Sequence, residues 1–440
     1  MIPSARLAAT IEILEELERG PPPAEARVSA YLRARRYIGS KDRRAVTGRV
    51  YAVVRHRARL AWHLRELGAD PGARAAVLAH LRLVERLDRP AVAALFDTSP
   101  YSAAPPSAAE EALLERLEGI SLEPAAMPPE VRGECPAWLW PSFLGVFGSE
   151  GEALAELRAL TGEAPLDLRV NTLKSDREAV RRALAEEGIE SAATPISPCG
   201  LRAVGRPALH ATQAFRDGLV EPQDEGSQIA ALLVDARPGM AVLDYCAGVG
   251  GKALALAAAM GDDGLLMLHD SDPRRLGKAE RRLSRAGAHL AVSSAGDADA
   301  LAGRGAVFER VLVDAPCSGS GRWRRAPDAR WRLDAEELAE VVALQGALLR
   351  EAAAYVAPGG RLVYVTCSLL AEENQAVVDA FAAAAGDFAP LPVAEPWGEI
   401  LGGAPPGDAP PGDGRTLTLG PRRQGTDGFF VALFRRDGGP

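Results

Sequence analysis

From about residue 217 onward, short apolar segments typical of buried strands alternate with segments that have the residue spacing of helices. The strand-like segments are AVLDYC, LLMLHD, HLAVSSAGD, RVLVDAPC and RLVYVTCS, and helix-like segments such as PRRLGKAERRLSRAG separate them. This alternation predicts a mostly parallel sheet with helices on both faces, because parallel strands require crossover connections. Residues 217–440 are therefore expected to form a doubly wound α/β domain.

The residues before this domain divide into two further regions. Residues 1–135 are expected to form an all-helical domain, because ARLAATIEILEELERG and DRRAVTGRVYAVVRHRARLAWHLREL repeat apolar residues every three or four positions. Residues 136–216 are expected to form a small α/β domain. In that region APLDLRVNTL has the composition of a strand, and Ser175 followed by Glu178 predicts a capped helix start.

The overall composition is that of a globular protein. Hydrophobic residues make up 47% of the chain and charged residues 25%. The N-terminal residues have a charged, amphipathic helix pattern, and no segment supplies eighteen apolar residues suited to a membrane span. We therefore expect a cytoplasmic protein without a membrane partner.

The cysteines fit neither a disulfide framework nor a zinc site, because the five of them are scattered and lack paired short spacings. We expect free thiols and no bound metal. Cys135, Cys199 and Cys246 are interpreted as small core residues. Cys317 and Cys367 differ, because each directly follows an apolar strand at the edge of the predicted sheet.

One segment is strongly basic although the formal net charge of the chain is -8. Because charges are screened beyond about 10 Å, the local balance decides what such a segment can bind. Residues 33–65, here called the basic segment, predict a surface that contacts phosphates; a solvated helix face is the alternative. The segment contains one acidic residue, Asp42. Its eleven basic residues are Arg33, Arg35, Arg36, Lys41, Arg43, Arg44, Arg49, Arg55, Arg57, Arg59 and Arg65.

In open α/β sheets, ligands bind beyond the carboxyl ends of the strands. The residues that this rule brings to one edge are Asp244, Gly248, Gly250, Gly251, Asp270, Asp297, Asp314, Cys317 and Cys367. The glycines match a dinucleotide fingerprint, and Asp270 follows at the distance of a carboxylate that holds ribose hydroxyls. This pattern fits a nicotinamide cofactor or S-adenosylmethionine, and Asp244 favours the second because its charge suits a cationic ligand. Asp297 and Asp314 could instead cap turns.

The two edge cysteines indicate a class of chemistry. A thiolate is the natural nucleophile for an electron-poor ring. Methylation of cytosine at carbon 5 needs such a nucleophile, because addition of sulfur at carbon 6 makes carbon 5 able to attack a methyl donor. A base must then remove the carbon-5 proton before the thiol can leave. Two facing cysteines and an aspartate suit this reaction.

The motifs DYCAGVGGK, DAPCSGSG, VYVTCSLLAEEN and GTDGFFVALFRR resemble those of the Sun-type RNA (cytosine-5)-methyltransferases, and LRVNTLK and EPQDEGSQ resemble that family's preceding elements. The N-terminal helices resemble the NusB-like RNA-binding domain of the RsmB-like branch of the family. The resemblance implies a Rossmann-like catalytic domain that uses S-adenosylmethionine. It also implies that the substrate is small-subunit (16S) ribosomal RNA. We further expect a monomer.

Carried onto this sequence, the resemblance implies a role for each motif residue. The nucleophile would be Cys367, and Cys317 would assist its release, with Asp314 close to the cytosine ring. In one departure, Gly248 and Val249 stand where the family commonly has Ala-Pro. The residues implied to hold S-adenosylmethionine are Cys246, Ala247, Gly248, Val249, Gly250, Gly251, Lys252, Asp270, Asp297 and Asp314.

Other interpretations remain open from the sequence. In GRWRRAPDARWR, residues 321–332, the arginines and Trp323 or Trp331 could bind phosphates and stack on a base, or the tryptophan could be buried under a surface loop. The substrate could be a cytosine of transfer RNA or of another ribosomal RNA site. A non-catalytic RNA-binding assembly factor and a nicotinamide oxidoreductase are alternatives from other classes, and the two intact cysteines count against the first of these.

Overall fold

A computed structural model describes residues 1–20, 23–295, 301, 305–406 and 414–438 of the chain. By its internal contacts the chain divides into two compact units. The helical unit comprises residues 1–144, 149–163 and 323–332, and the sheet unit comprises residues 145–148, 164–322 and 333–440. Residues 136–144 and 149–163 group with the helices before them rather than with a separate small domain.

The helical unit is built around a core that α1, α4 and α5 share. Leu7 and Ile13 of α1, Leu60 and Leu64 of α4, and Leu78 of α5 are fully buried in one cluster. The helices of the N-terminal residues are α1 (Pro3–Glu18), α2 (Ala24–Ala34), α3 (Ser40–Arg55), α4 (Arg57–Glu66), α5 (Ala73–Leu83), α6 (Arg89–Ala93), α7 (Ala108–Arg116), α8 (Pro129–Arg132), α9 (Trp140–Phe147) and α10 (Glu150–Thr161).

A small antiparallel sheet opens the sheet unit. Its strands, in the order β2-β3-β1-β4, are β1 (Leu166–Val170), β2 (Ser191–Ala193), β3 (Gly200–Ala203) and β4 (Val220–Pro222), accompanied by α11 (Arg177–Glu186) and α12 (Gln213–Arg216). The predicted cap of α11 at Ser175 is wrong by one position. Asp176 caps the helix by accepting from the Ala179 amide, and Glu178 pairs with Arg181 instead.

The large sheet has the order β10-β12-β9-β8-β5-β6-β7, with β11 paired to β12. The strands from β5 to β9 pair in parallel, whereas β10, β11 and β12 pair antiparallel at one side. The strands are β5 (Ala241–Asp244), β6 (Leu265–Asp270), β7 (Ala291–Ala295), β8 (Phe308–Asp314), β9 (Val356–Thr366), β10 (Phe388–Pro390), β11 (Thr416–Leu419) and β12 (Phe429–Arg436). The prediction of a doubly wound, mostly parallel sheet is confirmed.

Helices cover both faces of this sheet, and alternate strand residues serve the two faces. Val242 and Val363 pack in one cluster with α14 and α15, whereas Leu243 and Tyr364 pack in the other with α16 and α17. The helices are α13 (Glu225–Leu232), α14 (Gly251–Ala259), α15 (Pro273–Ala286), α16 (Ala335–Ala353), α17 (Gln375–Ala384) and α18 (Ala394–Ile400). Across the described ranges, every helix is too short or too polar to cross a membrane.

The strand order reverses between β5 and β8. From β5 the chain proceeds to β6 and β7 on one side, and it then returns to β8 and β9 on the other. Such a reversal opens a crevice beyond the carboxyl ends of the strands, where ligands of doubly wound sheets bind. The register places Asp244 beside Leu312, and Asp314 beside Val365, at this edge.

Candidate active site

A glycine loop joins β5 to α14 at the strand reversal. Gly248 and Gly250 have φ angles of 57° and 79°, a left-handed region that favours glycine. A Cβ atom at Gly250 would lie 2.8 Å from the Cβ of Ala279 in α15, which leaves no room for a side chain. Gly248, which stands where the family commonly has Ala, therefore fits the local backbone, because glycine readily adopts the positive φ of this position.

Asp270, the last residue of β6, is tied to this loop. Its carboxylate accepts hydrogen bonds from the amides of Gly248 and Asp272, each at 2.9 Å, and pairs with Arg275 at 3.2 Å. The side chain is therefore held beside the glycine loop. Its predicted role in holding ribose hydroxyls stays a prediction.

Asp244, the last residue of β5, is fully buried, and neither of its carboxylate oxygens has a hydrogen-bond partner among the described residues. Burial raises the pKa of Asp244 to about 8; the Asp314 carboxylate adds to the rise, whereas the Lys252 ammonium opposes it. A buried acceptor without a donor is costly unless a ligand supplies one. This carboxylate therefore fits the cationic methyl donor that the sequence predicts.

Lys252 connects the glycine loop to β8. Its Nζ lies 2.6 Å from Oδ2 of Asp314, and it also lies 5.4 Å from the centre of the Phe429 ring. The lysine side chain is buried, whereas 35% of the Asp314 side chain is exposed. Asp314 is therefore the member of the pair that a second ligand can reach.

The two edge cysteines lie close together, because β8 and β9 are parallel neighbours and each cysteine follows one of these strands. The Sγ atoms of Cys317 and Cys367 are 3.3 Å apart, and both side chains are partly exposed. The sequence prediction that they face each other is therefore met by the structure, although their catalytic roles stay predictions.

The surroundings of the two thiols differ in charge. A hydrogen bond from the Cys317 thiol lowers the pKa of Cys367 against the opposing effect of burial, and the charges of Arg322 and Lys252 lower it further. The same hydrogen bond, together with burial and the charges of Cys367 and Glu373, raises the pKa of Cys317 well above its usual range. Cys367 is thus the member of the pair that is deprotonated first.

Glu373 is a site residue that the sequence reasoning did not single out. It is fully buried six positions after Cys367. One carboxylate oxygen accepts from the Ser318 amide at 2.7 Å and from Gln345 Nε2 at 3.0 Å, and the other accepts from the hydroxyls of Ser318 and Ser368. No spacing in the sequence reveals this role, because the partners come from the loops after two separate strands and from a distant helix.

Cys246, Cys135 and Cys199 are the remaining predicted cysteines, and Asp297 is the remaining predicted aspartate. Asp297 lies outside the described residues. Cys246 lies in the glycine loop, where burial raises the pKa of its thiol well above the usual range. Cys135 is buried in the helical unit, and Cys199 directly precedes β3 with its Sγ 3.4 Å from Ser197 Oγ. Within the described ranges, no group of three His, Cys, Asp or Glu side chains could hold a metal ion.

The first tryptophan of the GRWRRAPDARWR segment is a core residue. Trp323 is fully buried in the helical unit, 5.5 Å from the Phe143 ring. Arg330 is also buried and donates to the carbonyls of Glu134 and Leu160. Of the two alternatives left open for the tryptophans, the buried one therefore holds for Trp323, and neither Trp323 nor Arg330 is exposed to RNA.

The basic segment is divided between buried and exposed side chains. Arg59 is buried in ion pairs with Glu134 at 2.9 Å and Glu123 at 2.6 Å, and Arg49 forms a two-pronged pair with Glu85. These arginines are structural. The exposed members between α2 and the start of α3, here called the basic surface, are Arg33, Arg36, Lys41 and Arg44, and they flank Tyr37, which is 73% exposed.

Two family models match the chain. Residues 231–435 match the model of the 16S rRNA methyltransferase RsmB/F. Residues 135–207 match the ferredoxin-like domain of RsmF/B-like methyltransferases. The second match overlaps the small α/β region expected at residues 136–216.

Similar proteins and structures extend over most of the chain. It is 31% identical over 424 residues to the probable ribosomal RNA small subunit methyltransferase B of Synechocystis sp., covering 91% of this chain and 92% of that protein. One solved structure with 27% identity and a TM-score of 0.75 covers 99% of each chain. A methyltransferase homolog protein from Pyrococcus horikoshii, with 27% identity and a TM-score of 0.59, covers 71% of this chain and 99% of its own.

Proposed function

Since the chain belongs to the RsmB/F family of 16S rRNA methyltransferases, also known as the Sun-type family, we propose that it methylates carbon 5 of a cytosine in small-subunit ribosomal RNA. It is an RNA methyltransferase whose methyl donor is S-adenosylmethionine. The observation that carries the cytosine-5 assignment is the pair of thiols 3.3 Å apart at the sheet edge. A methyltransferase acting on a more nucleophilic atom needs no such pair.

The reaction begins at Cys367. Its thiolate adds to carbon 6 of the cytosine and forms a carbon–sulfur bond, which places electron density on carbon 5. Bound S-adenosylmethionine would supply an electrophilic methyl group to carbon 5 and would leave as neutral S-adenosylhomocysteine. Loss of the carbon-5 proton then restores the ring double bond and expels the Cys367 sulfur as a thiolate.

The opposite pKa shifts of the two cysteines support separate roles for them in the reaction. The lowered pKa of Cys367 favours the nucleophilic thiolate, and the raised pKa of Cys317 keeps its sulfur protonated beside it. We assign Cys317 to the release step, in which its thiol donates a hydrogen bond to the Cys367 sulfur and stabilises the thiolate that leaves. The Asp314 carboxylate at the same edge accepts the carbon-5 proton. Asp314, whose side chain is partly exposed at the same edge, is suited to accept a hydrogen bond from the cytosine amino group.

The methyl donor fits the edge formed by the glycine loop, from Cys246 to Lys252. The two glycines allow the tight turn between β5 and α14, with Gly250 packed against Ala279 of α15, and Asp270 follows on the neighbouring strand. The partnerless carboxylate of Asp244 supplies negative charge for a cationic ligand. These residues would bind and orient the donor while the cysteines act on the ring.

The RNA would be held in part by the basic surface of the helical unit. Arg33, Arg36, Lys41 and Arg44 offer four exposed cations, and Tyr37 between them offers a ring for stacking. Asp42, the acid in this stretch, is neutralised by the N-terminal ammonium and by Arg6. The local field on this surface is therefore positive despite the negative net charge of the chain.

Methyl transfer to 16S ribosomal RNA tests the proposal. The protein is incubated with unmodified 16S RNA, transfer RNA and labelled S-adenosylmethionine, and methylated cytosines are located by bisulfite sequencing. We expect one labelled cytosine in 16S RNA, and no label with the Cys367→Ala variant. Label in transfer RNA alone would move the substrate to that class, whereas binding of 16S RNA without any methylation would favour an assembly factor.

A further inference from the structure

One buried carboxylate joins the two loops that carry the cysteines. Ser318 directly follows Cys317, and Ser368 directly follows Cys367. Glu373 accepts hydrogen bonds from the amide and hydroxyl of the first serine and from the hydroxyl of the second. The distance between the loops is therefore set at positions adjacent to the thiols.

The same carboxylate is held in place by uncharged donors. Gln345 of α16 donates to Glu373 at 3.0 Å and to the carbonyl of Pro316 at 2.8 Å, so it fixes both the carboxylate and the start of the Cys317 loop. A buried carboxylate is tolerated when its lone pairs are filled by donors. Four donors fill those of Glu373, which makes the arrangement rigid.

Further hydrogen bonds strengthen the junction of the loops. Ser320 Oγ accepts from the Leu369 amide at 2.8 Å and lies 2.9 Å from Ser368 Oγ. Asn374, next to Glu373, accepts from the Thr366 hydroxyl at 2.6 Å and donates to the Ser368 carbonyl at 2.9 Å. The residues before and after Cys367 are thus both fixed by the Glu373–Asn374 pair.

We propose that Glu373 is a positioning residue of the methyl-transfer reaction, which holds the Cys317 and Cys367 loops so that the two sulfurs remain in contact. This inference rests on the proposed function of the cysteine pair. Glu373 does not touch the reacting atoms and acts through the two serines.

The charge of Glu373 supports the same role. Its carboxylate is among the causes that raise the pKa of Cys317, whereas Arg322 and Lys252 lower the pKa of Cys367 and Asp314 opposes them. The negative charge of Glu373 thus acts on Cys317, the protonated partner, whereas the positive charges of Arg322 and Lys252 act on Cys367, the thiolate. Glu373 both fixes the distance between the sulfurs and favours Cys317 as the protonated partner.

Two substitutions of Glu373 distinguish the effect of its hydrogen bonds from the effect of its negative charge. Glu373→Gln can retain the hydrogen bonds, because its amide nitrogen can donate to the serine hydroxyls while its carbonyl accepts from the Ser318 amide and Gln345. Glu373→Ala removes every one of these hydrogen bonds and loosens the loops, which remain joined through Ser320. Glu372→Gln and Glu372→Ala are the matched controls, since Glu372 is the adjacent acid and is exposed.

The distance between the sulfurs is measured by disulfide formation with diamide, without RNA or methyl donor. Two thiols lose their protons and one electron each to form the disulfide, and the nitrogen–nitrogen double bond of diamide takes up both hydrogens. The linked Cys317 and Cys367 peptides are quantified after a nonreducing digest. We expect Glu373→Ala to slow this step at least about tenfold, because loosening of the loops lowers the effective concentration of one thiol at the other. Glu373→Gln and both controls should react at the parent rate.

Methyl transfer supplies the second readout. Glu373→Ala should lower kcat with the KM for S-adenosylmethionine unchanged, and Glu373→Gln should recover most of the rate. If Glu373→Ala does not fold, as judged by its thermal transition, Ser318→Ala carries the test, because it removes the hydroxyl that joins the Cys317 loop to the carboxylate. It should slow disulfide formation measurably, but by less than Glu373→Ala, because three donors remain on the carboxylate. Disulfide formation at the parent rate in Glu373→Ala, or in Ser318→Ala in its place, would overturn the inference. An inactive parent protein would refute the proposed function alone, since the disulfide measurement needs no activity.

Discussion

The Nζ of Lys252 lies 2.6 Å from Oδ2 of Asp314, although the lysine lies in the first turn of α14 and the aspartate ends β8. The pair therefore bridges the glycine loop and the loop that carries Cys317. Its cation also lowers the pKa of Asp244 and of Cys367. One buried ammonium thus influences both the donor side and the nucleophile side of the proposed site.

Replacement of Lys252 by Met should make Cys367 a weaker nucleophile near neutral pH. Loss of the cation raises the pKa of the Cys367 thiol, so a smaller fraction is thiolate. The rate of iodoacetamide modification of Cys367, followed by peptide mass across pH 6 to about 10, should show its inflection at higher pH in the variant. Lys278→Met, on the exposed side of α15, is the control and should leave the inflection unchanged. An inflection that Lys252→Met also leaves unchanged would show that Lys252 does not lower the pKa of Cys367.

Binding of S-adenosylmethionine should strengthen as the pH rises toward 8. The raised pKa of Asp244, about 8, means that the free protein holds a proton on this carboxylate at neutral pH. A cationic ligand favours the ionised form, so binding releases the proton and affinity increases with pH by at most about tenfold per unit. Above pH 8 the group is already ionised, and the affinity should level off.

Calorimetry across this pH range measures the effect, and Asp244→Asn is the comparison because it keeps the shape and removes the proton. The Asn variant should bind S-adenosylmethionine more weakly than the parent does at pH 8. Its affinity should also lack the rise with pH that the parent shows. A parent affinity that does not change between pH 6 and about 8 would show that the donor does not contact this carboxylate.

Gly250→Ala should impair both folding stability and donor binding. The left-handed backbone at this position costs a residue with a side chain about 1–2 kcal/mol, and the new Cβ would collide with Ala279. Gly251→Ala provides a matched control, because a Cβ there has nothing within 4 Å and its φ is not positive. Equal melting temperatures and donor affinities for the two variants would contradict the observed loop geometry.

The basic surface should account for part of the RNA affinity. Replacing Arg33, Arg36, Lys41 and Arg44 with Gln should weaken RNA binding and reduce the slope of log affinity against log salt. The reduction should reach about 0.7 for each RNA phosphate that the protein no longer neutralises. Donor affinity should remain the same. An unchanged salt slope would make this surface a solvated helix face.

Arg59 offers a contrast within the same basic segment. Arg59→Gln leaves the fully buried Glu134 without its ion-pair partner, which should destabilise the helical unit by about 3–5 kcal/mol. Urea unfolding measures that loss. The folded fraction of this variant should bind RNA with the parent's salt slope, because Arg59 faces the protein interior.

The sequence predicted the sheet and its functional edge because these follow from local patterns. Alternating strands and helices implied the parallel sheet, and the parallel arrangement by itself brings the ends of β5, β6, β8 and β9 together. The facing of Cys317 and Cys367 followed from that rule. The position of the helix cap at Asp176 instead of Ser175 was missed because both residue types cap helices equally well.

The remaining features depend on tertiary contacts that no local pattern encodes. Trp323 and Arg330 lie in a basic, aromatic segment typical of RNA contacts, yet they fill the core of the helical unit. Arg59 belongs to a charge run but pairs with Glu134, which is distant in sequence. Glu373 gains its role from serines of two separate loops. In each case the partner, rather than the residue type, determines the function.

The central claim is that Cys367 attacks the cytosine and that Cys317 acts in release. Cys317→Ala should still form the carbon–sulfur bond and transfer the methyl group, but it should stall before elimination. The measurement is a denaturing gel of Cys317→Ala, Cys367→Ala and the double variant, each incubated with 16S RNA and S-adenosylmethionine. The account predicts a slow-migrating protein–RNA adduct for Cys317→Ala, with none for Cys367→Ala or the double variant. An adduct formed by Cys367→Ala but not by Cys317→Ala would reverse the two roles, and full methylation activity in both single variants without any adduct would contradict the covalent mechanism.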